Sequence, residues 1–90
     1  MRICNMLSDN GNKVPNQFIV TTDRGEYFVS YESTIAFIDK EGKTYLDKYK
    51  YNYSCTTSKY LNRFLDCTIK EREERIKKGE YILTTLGEVE

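Results

Sequence analysis

From Gln17 to Thr22 the chain runs through β-branched and aromatic residues, breaks at Asp23-Arg24-Gly25, and resumes the same character from Glu26 to Tyr31. Two β-prone runs separated by turn formers and a glycine predict an antiparallel hairpin, with Gly25 supplying the left-handed backbone that the turn needs. A third run, Thr34 to Ile38, is turned by Lys40-Glu41-Gly42-Lys43 into Thr44-Tyr45-Leu46, which extends the hairpin into a meander of three or four strands. Ahead of it, Ser8-Asp9-Asn10-Gly11-Asn12 gathers turn formers before the single proline, Pro15. Residues 1–14 are therefore expected to be a short strand or a mobile segment that leads into a loop.

Helical signals begin only after Tyr53. Ser54-Cys55-Thr56-Thr57-Ser58 offers several hydroxyls able to cap a helix start, and Tyr60, Leu61, Phe64 and Leu65 then share one helical face. Thr68-Ile69-Lys70-Glu71 matches a capping box, in which the threonine hydroxyl and the glutamate carboxylate each satisfy an otherwise orphaned amide. That predicts a second helix, ended by Gly79, with Glu71 and Arg75, Glu73 and Lys77, and Glu74 and Lys78 spaced as favourable charge pairs. Only Ile69 and Ile76 are expected to dock it; its other residues read as a solvated, charged face. Tyr81 to Leu86 alternates as a final strand before an acidic tail at 87–90. The fold class expected is α+β: an antiparallel sheet of four to five strands, from the N-terminal meander plus the C-terminal strand, with two short helices between residues 54 and 79.

Ninety residues hold one hydrophobic core, so residues 1–90 are expected as a single domain. An apolar content of 39%, with eight tyrosines and four phenylalanines, is enough to fold around. No apolar run approaches a membrane span and the start has no signal-peptide pattern, so neither a leader nor an anchor is expected. Three cysteines, Cys4, Cys55 and Cys67, make neither a paired disulfide framework nor a Cys-x-x-Cys knuckle, which points to a reducing cytoplasm.

The chain has no histidine, which removes the commonest general base and the imidazole metal ligand together. Cys55 beside the start of a helix is a conceivable nucleophile, yet cysteine more often behaves as a small hydrophobe. The carboxylates Glu71, Glu73 and Glu74 lie among basic residues on the charged helix, and the isolated turn glycines build no phosphate-cradling loop. No catalytic residue, metal ligand or cofactor is expected, and the protein reads as a binder rather than an enzyme.

Formal charge is zero overall but uneven along the chain: residues 40–65 carry six basic and two acidic side chains, between two net-acidic flanks. Within that stretch Lys48-Tyr49-Lys50-Tyr51-Asn52-Tyr53 alternates cation or amide with tyrosine, Lys59 and Arg63 follow, and no acidic residue occurs from Lys48 to Leu65. If this segment is a strand, tyrosines and lysines occupy opposite faces. Either the tyrosines pack inward and the lysines guard a sheet edge, or Lys48, Lys50, Tyr51, Lys59 and Arg63 form a partner-binding surface for a protein or a nucleic acid. The charged helix 69–78 is a second candidate face, for self-association.

The runs Phe28-Val29-Ser30-Tyr31-Glu32-Ser33-Thr34-Ile35-Ala36 and Tyr53-Ser54-Cys55-Thr56-Thr57-Ser58-Lys59-Tyr60-Leu61-Asn62-Arg63-Phe64-Leu65 resemble a family of short phage and mobile-element proteins with the patterns F-V-S-Y-x-x-T-I-A and Y-S-x-T-T-x-K-Y-L-x-x-F-L. Relatives often carry tryptophan at the position of Tyr51 and arginine at that of Cys55, and this chain departs at both. The resemblance implies an accessory protein in the cytoplasm of a bacterial host that binds and inhibits a host protein or protein–nucleic acid complex, such as an antiviral nuclease effector in the manner of an anti-CRISPR. The alternative it leaves open is a small nucleic-acid-binding regulator working through residues 48–63.

Overall fold

A computed structural model describes residues 1–87 and is α+β: six strands in one mixed, mostly antiparallel sheet, with two helices. The strands are β1 (Arg2–Leu7), β2 (Lys13–Thr22), β3 (Gly25–Ser30), β4 (Ser33–Asp39), β5 (Thr44–Asp47) and β6 (Tyr81–Thr84); the helices are α1 (Cys55–Leu65) and α2 (Ile69–Lys77). Strand order across the sheet follows the chain from β1 to β6. The expected hairpin is β2–β3, turned at Asp23-Arg24, with Val20 opposite Tyr27 and Ile19 opposite Phe28. A side chain at Gly25 would meet Phe37 and Asp39 at 2.9 Å and the Ile38 carbonyl oxygen closer still, so close strand approach and a φ of 149° both require glycine there.

Two features of the sheet differ from the sequence reading. The N-terminal segment is a full strand: β1 pairs antiparallel with β2, and the irregularity after Asn5 is stitched by the Asn5 carboxamide, which donates to the carbonyls of Val14 (2.6 Å) and Gln17 (3.0 Å). The count is therefore six strands instead of four to five. The last strand joins parallel to β5, from Thr44 against Tyr81 to Asp47 against Thr84, because the two helices carry the chain back across one face of the sheet before it pairs. The expected tail 87–90 lies, beyond Gly87, outside the described residues. Among the described residues no helix is long and apolar enough to cross a membrane.

The helices cover one face. Met6, Phe28, Ile35, Ala36 and Leu46 from the sheet meet Tyr60, Leu61 and Leu65 from α1, so the apolar helical face read from the sequence is the core. Phe64 is half-buried and stacks on Phe28 at 5.8 Å. On the opposite face the cross-strand partners Tyr27, Phe37 and Tyr45 stack in a row, with centroids 4.4 and 5.9 Å apart.

Both helix starts are capped as their sequences predict. The Ser54 hydroxyl accepts from the Thr57 amide at 3.1 Å, and at α2 the Thr68 amide donates to the Glu71 carboxylate while the Glu71 amide donates to the Thr68 hydroxyl. Gly79, at φ 78°, follows the end of α2. Thr57 is itself buried and its hydroxyl bonds both Ser54 and Ser30 at 2.9 Å, tying α1 to β3 through a chain of hydroxyls. Gln17, opposite Ser30, is fully buried, and neither polar atom of its side chain has a hydrogen-bond partner among the described residues.

Burial of an unpartnered carboxamide opposes folding, so Gln17→Met should raise the unfolding free energy by about 1 kcal/mol in denaturant titration; a loss of that size would show that the amide is satisfied in solution. The capping box supplies a pH-dependent counterpart. The Thr68 backbone amide, then its side chain, and Arg75 more weakly, hold the Glu71 carboxyl below its ordinary value. Its contribution is therefore present above the unfolded-state carboxylate value and is lost as pH falls through the lower folded one. In a carbon-detected NMR titration Thr68→Ala should move the Glu71 midpoint upward; an unmoved midpoint would assign the shift elsewhere.

Candidate functional site

The uneven region of the sequence begins where β5 ends, and a buried carboxylate shapes it. Asp47 is 2% exposed; its Oδ1 accepts from the amides of Tyr49 (3.0 Å) and Lys50 (3.1 Å), and its Oδ2 from the amide of Leu86 (3.1 Å). Its carbonyl accepts from Tyr51 at 3.0 Å. An aspartate that bonds amides two and three residues ahead stabilises a turn over a strand. Residues 48–54 accordingly wind through turns, which corrects the strand alternation expected there. Tyr49 and Tyr53 face solvent, at 71% and 50% exposure, while Tyr51 turns inward.

What Tyr51 turns toward is the second buried charge. Arg72, in the middle of the helix read as a solvated charged face, is 1% exposed. Its Nη1 donates to Ser58 Oγ and Asn62 Oδ1, each at 2.9 Å, its Nε donates to Glu73 at 3.1 Å, and its guanidinium carbon sits 5.5 Å from the Tyr51 ring centroid. A guanidinium carries five donors in a plane, so it can bridge two helices and still stack on an aromatic face. The expectation that Ile69 and Ile76 dock α2 is corrected accordingly. Ile76 packs on the core, Arg72 replaces Ile69 as the second anchor, and Ile69 is 57% exposed. Farther along α2, Arg75 donates to the Tyr81 hydroxyl at 2.7 Å, securing the helix to β6.

The five predicted partner-binding residues divide. Lys48, Lys50 and Lys59 are exposed, with Lys50 also reaching Ser33 Oγ at 3.3 Å. Tyr51 is half-buried against Arg72 and the core. Arg63 is committed within the fold: it pairs with Asp9, donates to the Leu7 carbonyl at 3.0 Å and lies 5.2 Å from the Tyr60 ring, clamping α1 onto the end of β1. Beside Lys59 stand apolar groups that the sequence did not single out. Tyr53 and Ile69 line a concavity of about 390 Å³ with Asn52, Cys55, Ser58 and Lys59. The resulting surface has aromatic and aliphatic anchors, a basic rim, and a floor fixed from beneath through the Arg72–Ser58 bond.

Cys55 lies exposed at the first position of α1, and among the described residues no three His, Cys, Asp or Glu side chains are grouped to hold a metal ion. A family model described as a family of unknown function (DUF8033) matches residues 1–81. No curated protein and no solved structure matches the chain.

Truncating Arg72 removes its packing and strands Ser58 and Asn62, so Arg72→Ala should cost about 3 kcal/mol, whereas the exposed neighbour in Lys70→Ala should change stability by no more than about 0.5 kcal/mol. Equal, small effects of the two in thermal or denaturant unfolding would show that the guanidinium does not hold the helices together.

Proposed function

The chain belongs to that family of unknown function, whose match spans the whole of the site just described, and we propose that it is a non-enzymatic binding protein that engages a host protein through this surface. The observation that carries the reading is the exposure of Tyr53 and Ile69 side by side in one concavity with Lys59, at the end of an acid-free run that also exposes Lys48, Tyr49 and Lys50. Large aromatic and aliphatic anchors inside a polar rim are how protein interfaces concentrate their energy. The basic rim selects for an acidic partner surface and speeds encounter with it. Because the turn is held by Asp47 and Arg72, little ordering entropy is lost on docking.

The resemblance to short phage and mobile-element proteins supplies the biological setting of this proposal: an accessory protein in the cytoplasm of a bacterial host that inhibits a host complex sterically, an antiviral nuclease effector of the CRISPR type being the leading target class. A nucleic-acid regulator is the second reading, favoured by one observation, that Tyr49 and Tyr53 are open to stacking beside three cations. It predicts an affinity for single strands that falls with salt at a logarithmic slope of about −2 for three phosphate contacts.

Pull-down of the tagged chain from nuclease-treated host lysate, repeated with Lys48→Glu/Lys59→Glu and with Tyr53→Ala, tests the reading. A defined host protein that is retained by the wild type and weakened about 100-fold by both variants is the expected result. Retention unchanged in both variants would remove this surface from consideration. Loss of every partner on nuclease treatment would favour the nucleic-acid reading.

A further inference from the structure

We propose that the outer edge of β1 is a self-association surface at which two copies of this chain pair antiparallel about Cys4, joining their sheets. It goes beyond the binding role above and uses a different part of the fold, the sheet edge at β1.

A sheet edge presents unpaired amides and carbonyls, and stable monomers guard such edges with lysine, proline, strong bulges, brevity or a covering element. The sheet has two edges, and they are managed differently. β6 is four residues long and is flanked by the Asp47 turn, whose Lys48 amide donates to the Thr84 carbonyl. β1 is six residues long, contains neither lysine nor proline, has its one irregularity near its end between Asn5 and Leu7, and among the described residues no element pairs with its outer side. It also gathers exposed apolar side chains: Ile3 is 62% and Leu7 52% exposed, next to Met1 at 80%.

The occupant follows from the strand's own sequence. Reversed on itself about Cys4, β1 places Ile3 opposite Asn5, Arg2 opposite Met6, and Met1 opposite Leu7. No like charges meet: Met1 meets Leu7, Ile3 meets the Asn5 amide, and Arg2 meets Met6, whose side chain is buried in the core. The one cation of each strand, Arg2, is carried toward the end of the other, where Asp9, already paired with Arg63, lies exposed. The two Cys4 side chains, both exposed, would stand directly opposite one another, and either kind of antiparallel residue pair, at roughly 4.5 or 5.5 Å between Cα atoms, is within disulfide reach. The edge alone is a small contact, so a dimer of modest affinity is expected, with a dissociation constant of roughly 10 μM.

Sedimentation velocity across a dilution series under reducing conditions reads the mass directly. The expected result is a concentration-dependent doubling, weakened at least about tenfold by Ile3→Lys, which adds a guarding charge at an exposed position. Leu7→Lys, at the far end of the strand, is the second variant, and circular dichroism confirms that each is folded. In the Cys55→Ser protein, mild copper–phenanthroline oxidation should give a covalent dimer that is lost when Cys4→Ser is added. A single monomeric mass over the series would overturn the proposal. So would a dimer indifferent to both lysine variants and still cross-linked without Cys4, which would place self-association elsewhere, with the charged helix α2 as the next surface to test.

Discussion

A guanidinium buried between two helices and a tyrosine ring holds this small fold together on its helical side. α2 brings few apolar side chains to the core, and on hydrophobic burial alone it would be a marginal element. Arg72 changes that by spending its donors on Ser58 and Asn62 of α1 and its planar face on Tyr51. Removing a charge from water is costly unless it is paired and hydrogen-bonded, and three of the five Arg72 donors meet a hydroxyl, an amide oxygen and a carboxylate while an aromatic ring lies near the guanidinium. The consequence reaches beyond α2. Because Tyr51 is drawn inward to stack, the neighbours two residues away on either side, Tyr49 and Tyr53, are left in solvent. The packing of one helix thus decides which tyrosines a partner can touch.

Asp47 imposes the complementary constraint from the sheet side. At the end of β5 its carboxylate takes the amides of Tyr49 and Lys50, which would otherwise have continued the strand, and that of Leu86 beyond β6. The same side chain therefore stops one strand, shapes the exposed turn and anchors the chain beyond its parallel neighbour. The parallel β5–β6 pair depends on this arrangement, since the returning strand is short and has the helices as its only connection.

Much of this was legible in the sequence wherever a local rule decides the outcome. The β2–β3 hairpin, the Ser54 cap, the Thr68–Glu71 capping box, the Gly79 terminus and the Tyr60, Leu61, Leu65 core face all follow from spacing and side-chain chemistry within a few residues. What escaped depends on partners distant in the chain. Arg72 is indistinguishable from its charged neighbours until α1 places Ser58 and Asn62 against it. Arg63 reads as a free cation, yet it reaches back to Leu7 and Asp9. The turn after Ser30, between the second and third strands read from the sequence, has no glycine or asparagine: Tyr31 and Glu32 take φ of 50° and 68° instead. The basic segment is found by its charge, but its turn is not, because Asp47 and Arg72 override the period-two alternation: Tyr51 goes inward while Tyr49 and Tyr53 stay in solvent with the lysines.

The placement of charge also bears on how a neutral protein can be an electrostatic binder. With 14 basic and 14 acidic residues the long-range field is weak, and steering depends on local imbalance within about 10 Å, the screening distance at moderate salt. The fold keeps that imbalance while committing one charge of each sign internally. Asp47 is buried and bonded and Arg63 is paired with Asp9, while Lys48, Lys50 and Lys59 stay exposed, Lys59 beside Tyr53 and Ile69. The turn that carries Lys48 and Lys50 follows β5, whereas β1 is the edge strand beyond β4, β3 and β2. An assembly joined through β1 would leave both copies of the binding surface open and turn a modest single contact into a bivalent one, whose strength is set by the distance between two acidic sites on a partner.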